Sequence, residues 1–159
     1  MKRILVAING DSVDKDALNV AFQITKGHKC EVFAFYVIEV GRELPVDAEV
    51  VDETRKGELV LGAAEQFAKS EKVDISADLL QAREAGPAIV KESADRGVDC
   101  IVLGLPYKKK HGSFSVGNAV PYILKNASCS VLVLRQPQER PLAESNLEAA
   151  RLSVDREIG

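Results

Sequence analysis

Five runs of strand-forming apolar residues alternate with four stretches of helical periodicity between residues 2 and 135, and few folds accept that alternation. Lys2 to Ile8 reads as a buried strand, broken by the turn residues Asn9-Gly10-Asp11-Ser12. Asp14 to Lys26 carries Ala17, Leu18, Ala21, Phe22 and Ile24 on one helical face. Cys30 to Val40 is strand-like, and Gly41 to Pro45 is a loop. Asp47 to Lys72 is a long helical pattern with Gly57 and Gly62 inside it. Ile75 to Leu80 is a shorter strand. Pro87 suits the first turn of the next helix, where its missing N–H does no harm. Asp99 to Leu103 is apolar on both faces, Gly117 to Lys125 is helical with Pro121 in its first turn, and Ser130 to Arg135 closes the series. The pattern predicts a doubly wound, mostly parallel five-stranded α/β sheet flanked by four helices, plus a C-terminal tail.

The chain length of 159 residues favours one domain, residues 1–135, with an extension at 136–159. Gln136 to Pro141 reads as a linker. Ala143 to Val154, with Leu147 and Leu152 as anchors, reads either as a docking helix or as a disordered tail. A net charge of −3 gives no overall case for binding nucleic acid or an anionic membrane. No apolar run approaches the ~20 residues a membrane-spanning helix needs, and MKRILVAING is a first strand rather than a signal peptide. Cys30, Cys100 and Cys129 lack zinc-ligand spacing; they read as buried free thiols, which makes a cytoplasmic location the expectation.

In such sheets ligands bind beyond the carboxyl ends of the strands, where the strand order reverses, so the loops after Ile8, Val40 and Leu103 are the candidates. The segment 98–135 is the most suggestive. An apolar run ends in Gly104, a lysine-rich loop follows, and Gly117 opens a helix. Free backbone N–H groups and the helix dipole favour an anion at such a junction. Lys108, Lys109 and Lys110 read either as a solvated patch or as phosphate contacts. Gly112 offers flexibility, and His111 has no partner that would make it a base. Asp11 and Asp14 are most simply helix caps or charges that favour the dipole. No nucleophile elbow, Walker lysine or triad is present, so no enzyme is expected.

KRILVAING with Ala17-Leu18, FAFYVIEV, VDCIVLG and NASCSVLVLR, in that order, resemble the universal stress protein family over residues 1–135. The resemblance implies the adenine nucleotide alpha hydrolase-like fold and a cytoplasmic regulatory role in stress response. It also implies binding of an adenine nucleotide: ATP, AMP or a cyclic nucleotide. Family members that bind ATP share a pattern of Gly, two residues, Gly, nine residues, Gly, then Ser or Thr. Gly104 fits the first glycine and Gly117 the third, while Tyr107 stands in the second place and Asn118 in the hydroxyl place. By position the implied nucleotide-binding residues are Ala7, Ile8, Asn9, Val37, Leu103, Gly104, Tyr107, Lys108, Gly117, Asn118 and Ala119. Ala7 and Ile8 would line the base, and Val37 would offer backbone groups to adenine. Family nucleotide binders carry Asp where Asn9 stands; Asn keeps a hydrogen bond for ribose but lacks charge for a metal, so a metal-free nucleotide is expected over magnesium-bound ATP. Tyr107 reads either as a stacking residue or as a lid over the sheet end.

The family resemblance also implies a homodimer through residues 131–135, a strand that this architecture places at a sheet edge. The replacements at positions 9, 107 and 118 keep a second reading open. This is a dimeric interaction module that binds no nucleotide, with a membrane transporter or another protein as partner.

Overall fold

The structure is a computed structural model. It describes residues 1–107, 109–110, 113–114 and 118–137, with backbone only at 109, 110, 113 and 114. Its elements in chain order are β1 (Arg3–Ala7), α1 (Asp14–Thr25), β2 (Glu31–Glu39), α2 (Val51–Ser70), β3 (Ile75–Ala82), α3 (Ala85–Asp95), β4 (Cys100–Leu105), β5 (Lys109–Lys110), β6 (Ser113–Phe114), α4 (Ala119–Asn126) and β7 (Ser130–Arg135). Five strands form one sheet in the order β3-β2-β1-β4-β7. Every pairing in it is parallel. The expected α/β architecture is therefore present, and its main sheet is wholly rather than mostly parallel.

Sequence hydrophobicity explains the layering. Alternate residues of a strand point to opposite faces, so a strand covered on both sides must be apolar throughout. Ile4, Leu5 and Val6 of β1 and Cys100, Ile101 and Val102 of β4 are all 0% exposed. Ile4, Val6 and Val102 pack with Ala17, Leu18, Ala21 and Phe22 of α1 and with Leu61, Ala64 and Ala68 of α2. Leu5, Phe35, Ile101 and Leu103 pack on the other face with Ile89 of α3 and Ile123 of α4. Gly57 lets α2 lie close to the sheet: a Cβ there would stand 2.6 Å from Leu79 Cδ1 and 2.8 Å from Tyr36 Cδ1. The propensity cost of a mid-helix glycine is offset by that approach.

Three details differ from the sequence reading. Helix α2 begins at Val51 rather than near Asp47. Residues 41–48 instead make two turns, with Leu44 N–H bonded to Gly41 C=O and Ala48 N–H to Pro45 C=O. Arg83 Nη1 donates to the carbonyls of Val40, Gly41 and Leu44, and Gln81 Nε2 to those of Val46 and Ala48, so side chains at the end of β3 hold the turns. The lysine-rich loop contains a small antiparallel pair, Lys109 opposite Phe114 and Lys110 opposite Ser113. Finally, all three cysteines are free; Cys100 is buried, but Cys30 and Cys129 are only half-buried. Burial pushes all three thiols above their ordinary pKa. Residues 138–159, and with them the helix-or-tail alternative, lie outside the described residues.

Candidate functional site

The strand order reverses at β1: the chain runs outward from β1 through β2 to β3, then returns to place β4 on the other side of β1. The carboxyl ends of β1, β2 and β4 are therefore neighbours, and the connections after them diverge to opposite faces. Ala7, the last residue of β1, stands level with Phe35 of β2 and Leu103 of β4. Ile8 is buried and its N–H donates to the Phe35 carbonyl at 2.9 Å. That bond fixes the edge chemistry of β2. Phe35 turns its polar backbone toward β1, and backbone direction alternates along a strand, so Val37 turns its N–H and C=O toward the same side. Val37 is half-buried and lies two residues past the last β1–β2 pair, at the level where β1 has ended. Ala7, Ile8, Val37 and Leu103 are thus brought together, as the sequence reading expects.

The loop after β1 is built around two carboxylates. Asp14 opens α1, yet it does not cap it; the N-cap is Val13, without a side-chain hydrogen bond. Asp14 instead reaches back, with Oδ2 accepting from Gly10 N–H at 2.7 Å and Oδ1 from Asn9 N–H at 3.3 Å. Burial pushes the Asp14 carboxyl above its ordinary pKa, against the pull of those two amides, and the nearby Asp11 charge adds to the rise. Asn9 is exposed, and its Nδ2 donates to Asp11 Oδ2 at 3.1 Å. The same amide carries Oδ1, an acceptor of the kind a ribose hydroxyl needs.

Gly104 is half-buried within β4, level with Leu134 of β7. Its lack of a side chain has a packing cause: a Cβ would meet Val13 Cγ1 at 2.9 Å and Ala17 Cβ at 3.4 Å. The glycine that heads the nucleotide pattern also seats the first turn of α1 on the sheet. Tyr107 is half-buried beneath Arg135, whose guanidinium carbon lies 5.4 Å from the ring centroid, a cation–π arrangement at the carboxyl ends of β4 and β7. Nothing in the motif spacing pointed to Arg135; its position as the last residue of the final strand is the only signal. Asn118 is exposed at the N-cap of α4 and makes no capping bond through its side chain. Ala119 is the half-buried first residue of that helix. Pro121 removes one of the first-turn N–H groups, so α4 offers an anion fewer donors than an ordinary helix start. Lys108 and Gly117 lie outside the described residues.

A larger basin of about 1000 Å³ lies at the opposite end of the sheet, among Lys2, Arg3, Lys26, Lys29, Lys72 and Asp99. Its cations do not make it the better anion site. Helices α1 and α2 end there, presenting carbonyls and the negative end of each dipole. Among the described residues no three His, Cys, Asp or Glu side chains gather as a metal centre would need. No helix among them is long and apolar enough to cross a membrane.

A wholly parallel five-stranded sheet with a switch point at its first strand defines an α/β binding fold of the kind that takes ligands at its carboxyl edge. The chain belongs to the universal stress protein family, whose model matches residues 1–135. It is 28% identical over 144 residues to universal stress protein MJ0531 of Methanocaldococcus jannaschii, covering 87% of this chain and 84% of that protein. Two structures of the universal stress protein from Archaeoglobus fulgidus share the fold. One gives a TM-score of 0.70 at 16% identity, covering 84% of this chain and 98% of that one. The other, in complex with dAMP, gives 0.66 at 16% identity over 84% and 97%. A universal stress protein family member from Arabidopsis thaliana with AMP bound gives 0.60 at 15% identity over 86% and 93%.

Proposed function

We propose that this protein is a regulatory domain that binds an adenine nucleotide at the carboxyl edge of β1, β2 and β4 and performs no chemistry on it. The observation that carries the reading is that Val37 lies past the last β1–β2 pair, Ala7 with Phe35, so that its β1-facing backbone edge reaches the strand ends where Ala7, Ile8 and Leu103 gather. An adenine ring presents one donor and one acceptor on its Watson–Crick edge, which matches a strand N–H and C=O. The dAMP and AMP complexes of the relatives support the same ligand class. Asn9, in place of a carboxylate, favours a nucleotide held without magnesium. The bound nucleotide changes the surface at the carboxyl ends of β1, β2 and β4, which a protein partner reads. The domain works as a homodimer joined through β7, which stands at one edge of the sheet with Leu132 40% and Val133 38% exposed.

Calorimetric titration with AMP, ATP and cyclic AMP, each with and without magnesium, tests the assignment. The expected result is a saturable heat for at least one of them, unchanged by magnesium. Ligand at 100 times its dissociation constant then adds about 2.7 kcal/mol of stability. No heat and no melting shift at millimolar ligand leaves the second reading, a nucleotide-free interaction module with a transporter or other protein partner. The engagement of Asn9 by Asp11 and of Tyr107 by Arg135 is the observation that favours that alternative.

A further inference from the structure

A nucleotide held without magnesium needs its phosphate charge met by the protein itself. Helix α4 contributes little to that, because Asn118 makes no capping bond and Pro121 lacks one of the first-turn donors. Arg135 is a cation at the same end of the sheet. It stands level with Leu105 of β4, two residues beyond the level at which Ala7 of β1 meets Leu103. In the order β2-β1-β4-β7 it lies three strand spacings from Val37 and two from the strand that leads into Asn9, each spacing ~4.8 Å.

The surroundings of Arg135 hold it in place. Gln136 N–H donates to the Leu105 carbonyl at 2.8 Å, and the Gln136 side chain exchanges hydrogen bonds with Ser12, Nε2 to Oγ at 3.1 Å and Oγ to Oε1 at 3.2 Å. Ser12 belongs to the loop that carries Asn9, so the end of β7 is tied across β4 to the loop after β1. Val131 packs on the α3–α4 face of the sheet. Side chains two apart on a strand share a face, so Arg135 emerges on the side of α4. There its guanidinium carbon lies 5.4 Å from the centroid of the Tyr107 ring. The residue that replaces the second glycine of the family's pattern is therefore the one on which the cation rests.

We propose that Arg135, seated on Tyr107, binds the outer phosphates of the nucleotide and makes this site prefer a nucleoside di- or triphosphate over a monophosphate. The proposal rests on the nucleotide reading above and adds the residue that discriminates phosphate number. A base at Val37 and a ribose at Asn9 put the first phosphate over the end of β4, and each further phosphate runs toward β7. A guanidinium keeps its charge at every physiological pH, and its planar fork of five N–H donors matches phosphate oxygens. Tyr107 acts as a positioning residue: its ring orients the fork, which a glycine in that place could not do.

Calorimetry on the full chain with adenosine, AMP, ADP and ATP, all without magnesium, tests the proposal. The wild type should bind ADP and ATP roughly tenfold or more tightly than AMP. Arg135→Gln should abolish that preference while changing adenosine affinity less than about twofold, and Arg135→Lys, which keeps the charge but not the fork, should retain part of it. Tyr107→Leu should weaken ATP binding and leave adenosine binding unchanged, whereas Tyr107→Phe, which keeps the ring, should match the wild type. Arg135 is exposed at the end of its strand, so its replacement leaves the fold intact. Equal affinities for AMP and ATP, or an ATP preference that survives Arg135→Gln and is lost only when Lys108, Lys109 and Lys110 are all replaced by Ala, would overturn the role of Arg135 while nucleotide binding stands. No binding of adenosine or of any of its phosphates by the wild type would overturn the nucleotide reading itself, and this proposal with it.

Discussion

At the scale of single residues, Gly104 separates two explanations that motif reading merges. A phosphate-loop glycine matters only when ligand is bound, whereas a glycine that seats Val13 matters always. The 2.9 Å approach to Val13 Cγ1 predicts that Gly104→Ala loses about 1–3 kcal/mol in urea unfolding without any nucleotide present. Unchanged stability would mean that α1 is free to shift and that the packing account is wrong. Asp14 gives a second residue-level test. Its carboxyl is raised from 3.8 by burial, so the folded state binds more protons than the unfolded one near that value. Its titration therefore favours folding most below about 3.8, and this contribution fades as the pH rises through the elevated folded value. Compared with Asp14→Asn, the wild type should gain relative stability as the pH falls from 7 toward 4. A stability gap that stays constant across that range contradicts the burial assigned to Asp14.

At the scale of elements, two helix ends make a natural comparison. Helices α2 and α3 both close with the same pair of bonds. Val73 N–H reaches Ala68 C=O and Lys72 N–H reaches Lys69 C=O; Val98 N–H reaches Ser93 C=O and Gly97 N–H reaches Ala94 C=O. The left-handed position is Gly97 in one, at φ 61°, and Lys72 in the other, at φ 58°. An L side chain there costs roughly 1 kcal/mol, so Lys72→Gly should raise stability and Gly97→Ala lower it, each by about that amount. Thermal or urea denaturation of the pair checks the opposite signs. The elements themselves were largely legible because each strand of a covered sheet must be apolar on both faces, and Ile4 to Val6 and Cys100 to Leu103 announce that directly. The start of α2 was not legible. Asp47 to Val50 fits a helical pattern locally, but Arg83 and Gln81 hold the preceding turns through bonds that cross from β3. The Gly104–Val13 contact was hidden for the same reason, since it joins residues far apart in sequence. Asn9, Val37 and Leu103 were named in the sequence through the family resemblance, and the strand order places all three at neighbouring strand ends.

At the scale of the whole molecule, the sheet has two edges, β3 and β7, and they are unequal. Leu132 and Val133 give β7 an exposed apolar character, and Leu124 of the neighbouring α4 is 56% exposed. A strand edge of that kind pairs readily with a second copy. The expected outcome is a dimer mass in light scattering at micromolar concentration, reduced to a monomer by Leu132→Lys with the circular dichroism unchanged. A wild-type monomer would remove β7 as the interface. The reversal of strand order at β1 sets the other whole-molecule property: the edge proposed above for the nucleotide lies at the carboxyl ends of the strands, and the charged basin at their amino ends. Backbone amide chemical shifts of the labelled protein during titration with AMP measure that claim most directly. The account predicts saturating shifts at Ala7, Ile8, Val37 and Gly104 and unmoved resonances from Lys26 to Glu31. Shifts confined to the Lys26–Glu31 rim, or none at millimolar AMP, would contradict it.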